Sequence, residues 1–168
     1  MAKTYLDQIV DYPSKVILRL SQDKQCVGFL VNKGFDKVTE EDMDVALEEH
    51  IMDYQYVDET TQETTAFVWV EMEVNQVGNT KFKNTKLYVT VACHKNYMKL
   101  PRQTFKGISG NRRDNLVRYI DKVLNNSDFL GIGTLKLNAV RTLSPINGFT
   151  AREITYEVPD FNVVNITE

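Results

Sequence analysis

The chain is poor in the residues from which small catalytic and metal centres are built. Its 168 residues include two cysteines, two histidines and a single tryptophan. Cys26 and Cys93 form no CxxC pair and lie in apolar-patterned segments, so they read as buried, reduced thiols and not as a disulfide framework. His50 and His94 are the only histidines. Cys93 and His94 are adjacent on a strand and face opposite ways, which keeps them from ligating one ion. A zinc site needs three or four converging ligands, and no such spacing occurs. Proline and glycine are sparse, at 4 and 8 residues, which excludes collagen-like and low-complexity chains. No apolar run approaches the roughly 20 residues that span a bilayer, so no membrane partner is expected, and residues 1–7 lack the apolar stretch of a signal peptide. The nucleophile elbow GxSxG is absent. Residues 107–113, Gly-Ile-Ser-Gly-Asn-Arg-Arg, precede a helix as an anion-binding loop would. They lack the Lys-Ser/Thr end of a phosphate-binding loop and do not follow a strand directly. No catalytic, cofactor-binding or metal-binding residue is assigned.

What is present is an ordinary globular composition, 42% apolar and 26% charged, at a length that suits one domain with a real core. The net charge is −3, but the charge is sorted along the chain. From Asp36 to Glu63 there are eleven acids and one base, Lys37. From Lys95 to Arg113 there are six bases and no acid. Two solvated loops would give this pattern, as would two patches that meet between subunits of a head-to-tail ring. Tyr97 and Phe105 interleave the bases as in a nucleic-acid surface, a reading the acidic pI of about 5.5 opposes.

The hydrophobic periods predict an α+β domain: a mainly antiparallel four-stranded sheet packed by a long helix, with short N-terminal helices. Residues 1–49 hold those helices, two or three of them in the first thirty residues, which Pro13 ends or restarts and Gly34 stops. Thr39 and Asp42 resemble a capping box opening an acidic helix near 40–49. Residues 50–65 are polar, have no period and read as an extended arm, with Tyr54 and Tyr56 anchoring it or touching a partner. The sheet-and-helix module spans 66–162, followed by a tail, 163–168. From Ala66 the period is two: Val68, Val70, Met72 and Val74 point one way, Phe67, Trp69, Glu71 and Glu73 the other. The next strand sets Leu87, Val89, Val91 and Cys93 against Tyr88, Thr90, Ala92 and His94, and the two strands read as a hairpin. Trp69 and Tyr88 on the outer face need a cover. A helix carries the stripe Leu116, Val117, Ile120, Val123 and Leu124. A second hairpin, with Leu135, Leu137 and Ala139 on one strand and Ile154, Tyr156 and Val158 on the other, turns at 144–148.

Glu71 and Glu73 share a strand face and could form a carboxylate pair for acid–base work or Mg²⁺ binding. A solvated or ion-paired strand face has the same pattern.

Several segments resemble a known family. Residues 50–60 (His-Ile-Met-Asp-Tyr-Gln-Tyr-Val-Asp-Glu-Thr) and the strand ending near Glu73 lead to residues 87–98 (Leu-Tyr-Val-Thr-Val-Ala-Cys-His-Lys-Asn-Tyr-Met). A Gly-Asn-Arg-Arg-Asp-Asn-Leu helix start at 110–116 and a closing Arg-Glu-Ile-Thr-Tyr-Glu-Val-Pro-Asp-Phe-Asn at 152–162 follow. This order, over roughly residues 5–162, resembles the neck and tail-completion proteins of tailed bacteriophages, in particular tail-terminator-like proteins of the head–tail junction. The acidic segment before the first strand is longer than in the simplest pattern. The resemblance implies a ring, usually a hexamer, that caps the tail tube and joins it to the head-side connector. Its partners would be other copies of itself, the tail tube protein and the connector, with room for weak DNA contact in the lumen. It implies a structural protein, not an enzyme, found in the virion after assembly in the host cytoplasm, with no catalytic residue to carry over. The candidate interface comprises Glu40, Glu41, Asp44, Glu48, Glu49, Tyr54, Tyr56, Asp58 and Glu59 on the acidic side. On the basic side it comprises Lys95, Lys99, Arg102, Lys106, Arg112 and Arg113. The competing readings are a small metal-dependent nuclease or phosphate-handling enzyme using Glu71, Glu73 and the basic loop, and a bacterial adaptor of the same fold outside a virion.

Overall fold

In the computed structural model, which describes residues 5–76, 83–131 and 133–158, the alternating segments form a five-stranded sheet with one helical face. Strands β1 (Ile51–Met52), β2 (Ala66–Gln76), β3 (Lys83–His94), β4 (Lys136–Ile146) and β5 (Phe149–Val158) lie in the order β1-β2-β3-β5-β4. The two expected hairpins are both present as antiparallel pairs, β2 with β3 and β4 with β5. The sheet is mixed and has one strand more than the four expected. Ile51 and Met52 pair parallel to Val68 and Trp69, a stretch too short to show a period.

The faces follow the alternation. Val68, Val70, Leu87, Val89, Val91, Cys93, Ile154 and Tyr156 are buried together under the helices. Cys26 and Cys93 are free thiols in the same core; burial raises both pKa values, that of Cys93 to about 12. In β4 the strict alternation of faces breaks between Leu137 and Ala139. A bulge at Asn138 shifts the register, so Leu137 stands on the helical side with Val140 and Ala139 turns outward. The β4–β5 turn, Asn147-Gly148, has φ of 43° and 80°, the two positive values that a tight two-residue hairpin turn requires.

Four helices cover the sheet: α1 (Tyr5–Ser21), α2 (Lys24–Val31), α3 (Glu40–Val45) and α4 (Arg112–Leu124). Pro13 neither ends nor restarts α1, which runs 17 residues without a break. The proline lies on the buried side beside Tyr12 and Val16, and the Ser14 hydroxyl donates to the Val10 carbonyl at 2.8 Å. Tertiary burial thus offsets the lost backbone bond. The stop of α2 is Asn32 in the left-handed region, two residues before Gly34. Thr39 and Asp42 form the expected capping box of α3, which continues as a π-helical turn, Ala46–His50. The helix α4 buries Leu116, Tyr119, Ile120 and Leu124. It is tied to β5 by Arg152 Nε on Asp114 at 2.6 Å and Tyr156 Oη on Asp121 at 3.1 Å. The connector of the first hairpin and the tail after Val158 lie outside the described residues, as do the side chains of Val74 and Val158.

Candidate functional site

The basic segment leaves β3 at His94 and returns to the helical layer at α4. Asn111 caps α4, its side chain accepting the Asp114 amide at 2.8 Å. Arg112, the next residue, is buried at 1% exposure. Its Nε donates to the Tyr97 carbonyl at 2.8 Å, and its terminal nitrogens to the Phe29 carbonyl at 2.5 Å and Asn32 Oδ1 at 2.6 Å. The guanidinium lies 3.9 Å from the Tyr97 ring centroid, and Tyr97 Oη donates to the Leu30 carbonyl at 2.8 Å. Arg112 and Tyr97 together satisfy the carbonyl end of α2, where the helix dipole favours a cation. This member of the candidate interface therefore sits in the interior. A cation in the first turn of its own helix runs against the dipole, and that mismatch is the signal by which sequence reasoning could have found its structural role.

The remaining bases divide. Lys95, Lys99, Arg102 and Lys106 are exposed and make no ion pair or side-chain hydrogen bond among the described residues. Arg113 has a largely buried side chain, its Nε 3.1 Å from Asp114. Burial pushes the Asp114 carboxyl up, but Asn111, Arg113 and Arg152 pull it to a net value below the usual range. Between the loop and residues 32–37 runs an open groove of about 1150 Å³. Phe35, Phe105 and Ile108 line it, with Lys33, Lys37 and Lys106 among its polar residues.

On the acidic side, Glu40, Glu41, Asp44, Glu48 and Glu49 are all exposed and likewise unpaired among the described residues. Asp42 is different. Lys33 at 2.5 Å and the Thr39 amide and hydroxyl, both at 2.9 Å, hold its carboxylate and lower its pKa.

The arm lies back on its own sheet. Val57 is buried at 2% exposure and clusters with Phe67, Trp69, Ala92, Phe149 and Ala151 on the outer face. Tyr56 packs on Phe67 with centroids 4.7 Å apart and donates to Glu63 at 2.8 Å. Asp58 closes a turn by accepting from Thr60 at 2.7 Å. Asn147 donates to the Thr61 carbonyl, and the His94 amide to that of Thr65 at 3.0 Å. The cover that Trp69 requires comes from within the chain. Tyr54 stays 56% exposed, and Asp58 and Glu59 face solvent.

Glu71 and Glu73 follow Trp69 outward on the same face. Tyr88 donates to Glu73 at 2.6 Å, and this bond, with burial, raises the phenol to about 12. Glu71 is level with Tyr88, seven positions before Lys95. At about 3.4 Å per residue Glu71 is roughly 24 Å from the basic loop, and Glu73, level with Lys86, is farther still. The sheet does not bring the two together. Among the described residues no group of three or more His, Cys, Asp or Glu could hold a metal ion, and no helix is long and apolar enough to cross a membrane.

The fold and its surfaces thus define an α+β protein that displays two charged patches, one acidic and one basic, unpaired among the described residues. A family model described as YomW matches residues 18–158, and the chain belongs to the YomW family. That membership marks it as phage-related. No curated protein and no solved structure matches it.

Proposed function

We propose that this chain is a structural virion protein of the phage head–tail junction. Copies form an oligomeric ring, a hexamer by the likeness to tail terminators, that caps the tail tube and joins it to the head-side connector. One observation carries the reading. Five acids on α3 and its π-helical extension, and four bases on the 95–106 loop, stay exposed and are unpaired among the described residues. Exposed pairs contribute little one at a time, but patches of opposite sign repeated around a ring steer and orient neighbouring subunits. Membership of a phage-related family supports the setting.

Light scattering at low and high salt tests this. A mass near six copies that falls with salt is expected. In the triple variant Lys99→Ala, Arg102→Ala, Lys106→Ala, assembly should weaken while the monomer's circular dichroism stays unchanged. Normal, equally salt-sensitive assembly of that variant would sink the role given to the basic loop.

A further inference from the structure

We propose that the two open edges of the sheet pair with each other between copies, residues 70–73 of β2 running antiparallel to residues 139–142 of β4 in the next copy. At one edge, β1 covers only Val68 and Trp69. From Val70 onward no strand among the described residues flanks the outer side of β2. At the other edge β4 pairs, among the described residues, on one side alone, with β5. Val140 on its helical face is 43% exposed. An unpaired strand edge carries open backbone donors and acceptors and is a template for another strand.

Direction and face both fit. β2, β3, β5 and β4 alternate in direction, so β2 and β4 run opposite ways. A second copy that continues the sheet with its helices on the same side therefore brings β4 to β2 as an antiparallel partner. Keeping like faces together sets Met72 opposite Val140 and Glu71 opposite Arg141. The apolar pair then buries area that each copy leaves open, and the outer pair joins opposite charges across the seam. A slip of one residue would set Glu71 against Val140. Bulges at Asn138 and after Leu143 bound the stretch of β4 that can pair.

Charge also selects between the arrangements of two copies. Two β4 edges face to face bring Arg141 near Arg141, and two β2 edges bring Glu71 and Glu73 together. Like edges repel and unlike edges attract, so the contact is heterologous, head to tail. The inference rests on the ring reading only for closure of the chain of subunits.

The test uses the full chain with Glu71→Cys and Arg141→Cys made separately; the native Cys26 and Cys93 are buried. Under mild oxidation the mixed variants should cross-link to dimers, each alone should not, and the double variant should give a ladder. No cross-link in the mixture, or equally efficient linking of Arg141→Cys with itself, overturns the proposal. Light scattering of the unaltered chain is run beside it. A salt-sensitive ring without the mixed cross-link leaves the ring reading standing and removes the edge pairing. A ladder from chains that grow without a defined mass does the reverse. Val140→Lys should raise the dissociation constant at least tenfold with circular dichroism unchanged, and unaltered assembly of that variant would also count against the seam.

Discussion

The Arg112 guanidinium, on the first residue of α4, donates to the Phe29 carbonyl of α2, 83 positions earlier in the chain. That bond closes the open end of one helix with the start of another, and the Tyr97 ring stacks against the same charge. The basic segment thus has a fixed base within the core and an exposed rim of Lys95, Lys99, Arg102 and Lys106.

Removing the base should unfold the chain more readily than removing the rim. Arg112→Ala leaves the Phe29 and Tyr97 carbonyls without their donor in the interior, at a cost of about 3–5 kcal/mol. Arg112→Lys keeps the charge but loses the forked geometry, and should recover only part of that. Urea midpoints of both variants check the point. A shift for Arg112→Ala no larger than for Lys99→Ala would show that the network is not structural.

Asp42 gives the chain a specific acid sensitivity. Its folded carboxyl titrates below the usual range because Lys33 and the Thr39 amide bond the charged form. The stabilisation is complete above the unfolded value of about 4 and fades as pH falls through the lower folded value. Asp42→Asn keeps an N3 side chain but loses the charge. It should cost about 1 kcal/mol at pH 7, a figure discounted because Lys33 is 47% exposed. Melting temperatures of the two forms should converge below pH 3. A constant gap between pH 7 and pH 3 would assign the effect to packing.

What could be read from the sequence was what depends on near neighbours. The alternation from Ala66 places Val68 and Val70 inward and Phe67 and Trp69 outward because strand period is a local property. The Thr39–Asp42 cap spans three positions and was equally readable. The partners of Arg112 were not, since Phe29 and Asn32 come near it only through the packing of α2 on α4. Pro13 misled for the same reason: the burial that keeps α1 continuous is supplied by distant residues. The docking of Val57 over Trp69 is likewise long-range, in a segment without a period.

Trp69 is the sole tryptophan, and its cover makes it a reporter of the arm. Val57→Ser takes an apolar side chain from the cluster and should cost about 1–3 kcal/mol. The Trp69 emission should shift to the red, and cleavage within residues 53–65 by a dilute protease should speed up. An unchanged spectrum and cleavage rate would mean that Tyr56 and the Asn147–Thr61 bond hold the arm without Val57.

Gly148 completes the β4–β5 turn and is held by its surroundings as well as by its own backbone. Its φ is 80°, and a Cβ there would lie 3.0 Å from His94 Nε2. His94 is not free to withdraw, because its ring packs edge-on to Phe149 at 5.2 Å and its Nδ1 accepts the Asn96 amide at 3.2 Å. Gly148→Ala should therefore cost about 1–2 kcal/mol, from the positive φ and the displaced imidazole together. Adding His94→Ala removes the second contribution but not the first. In a double-mutant cycle by thermal melting, Gly148→Ala should cost less when His94 is already absent. Strict additivity would show that backbone conformation alone fixes glycine at this position.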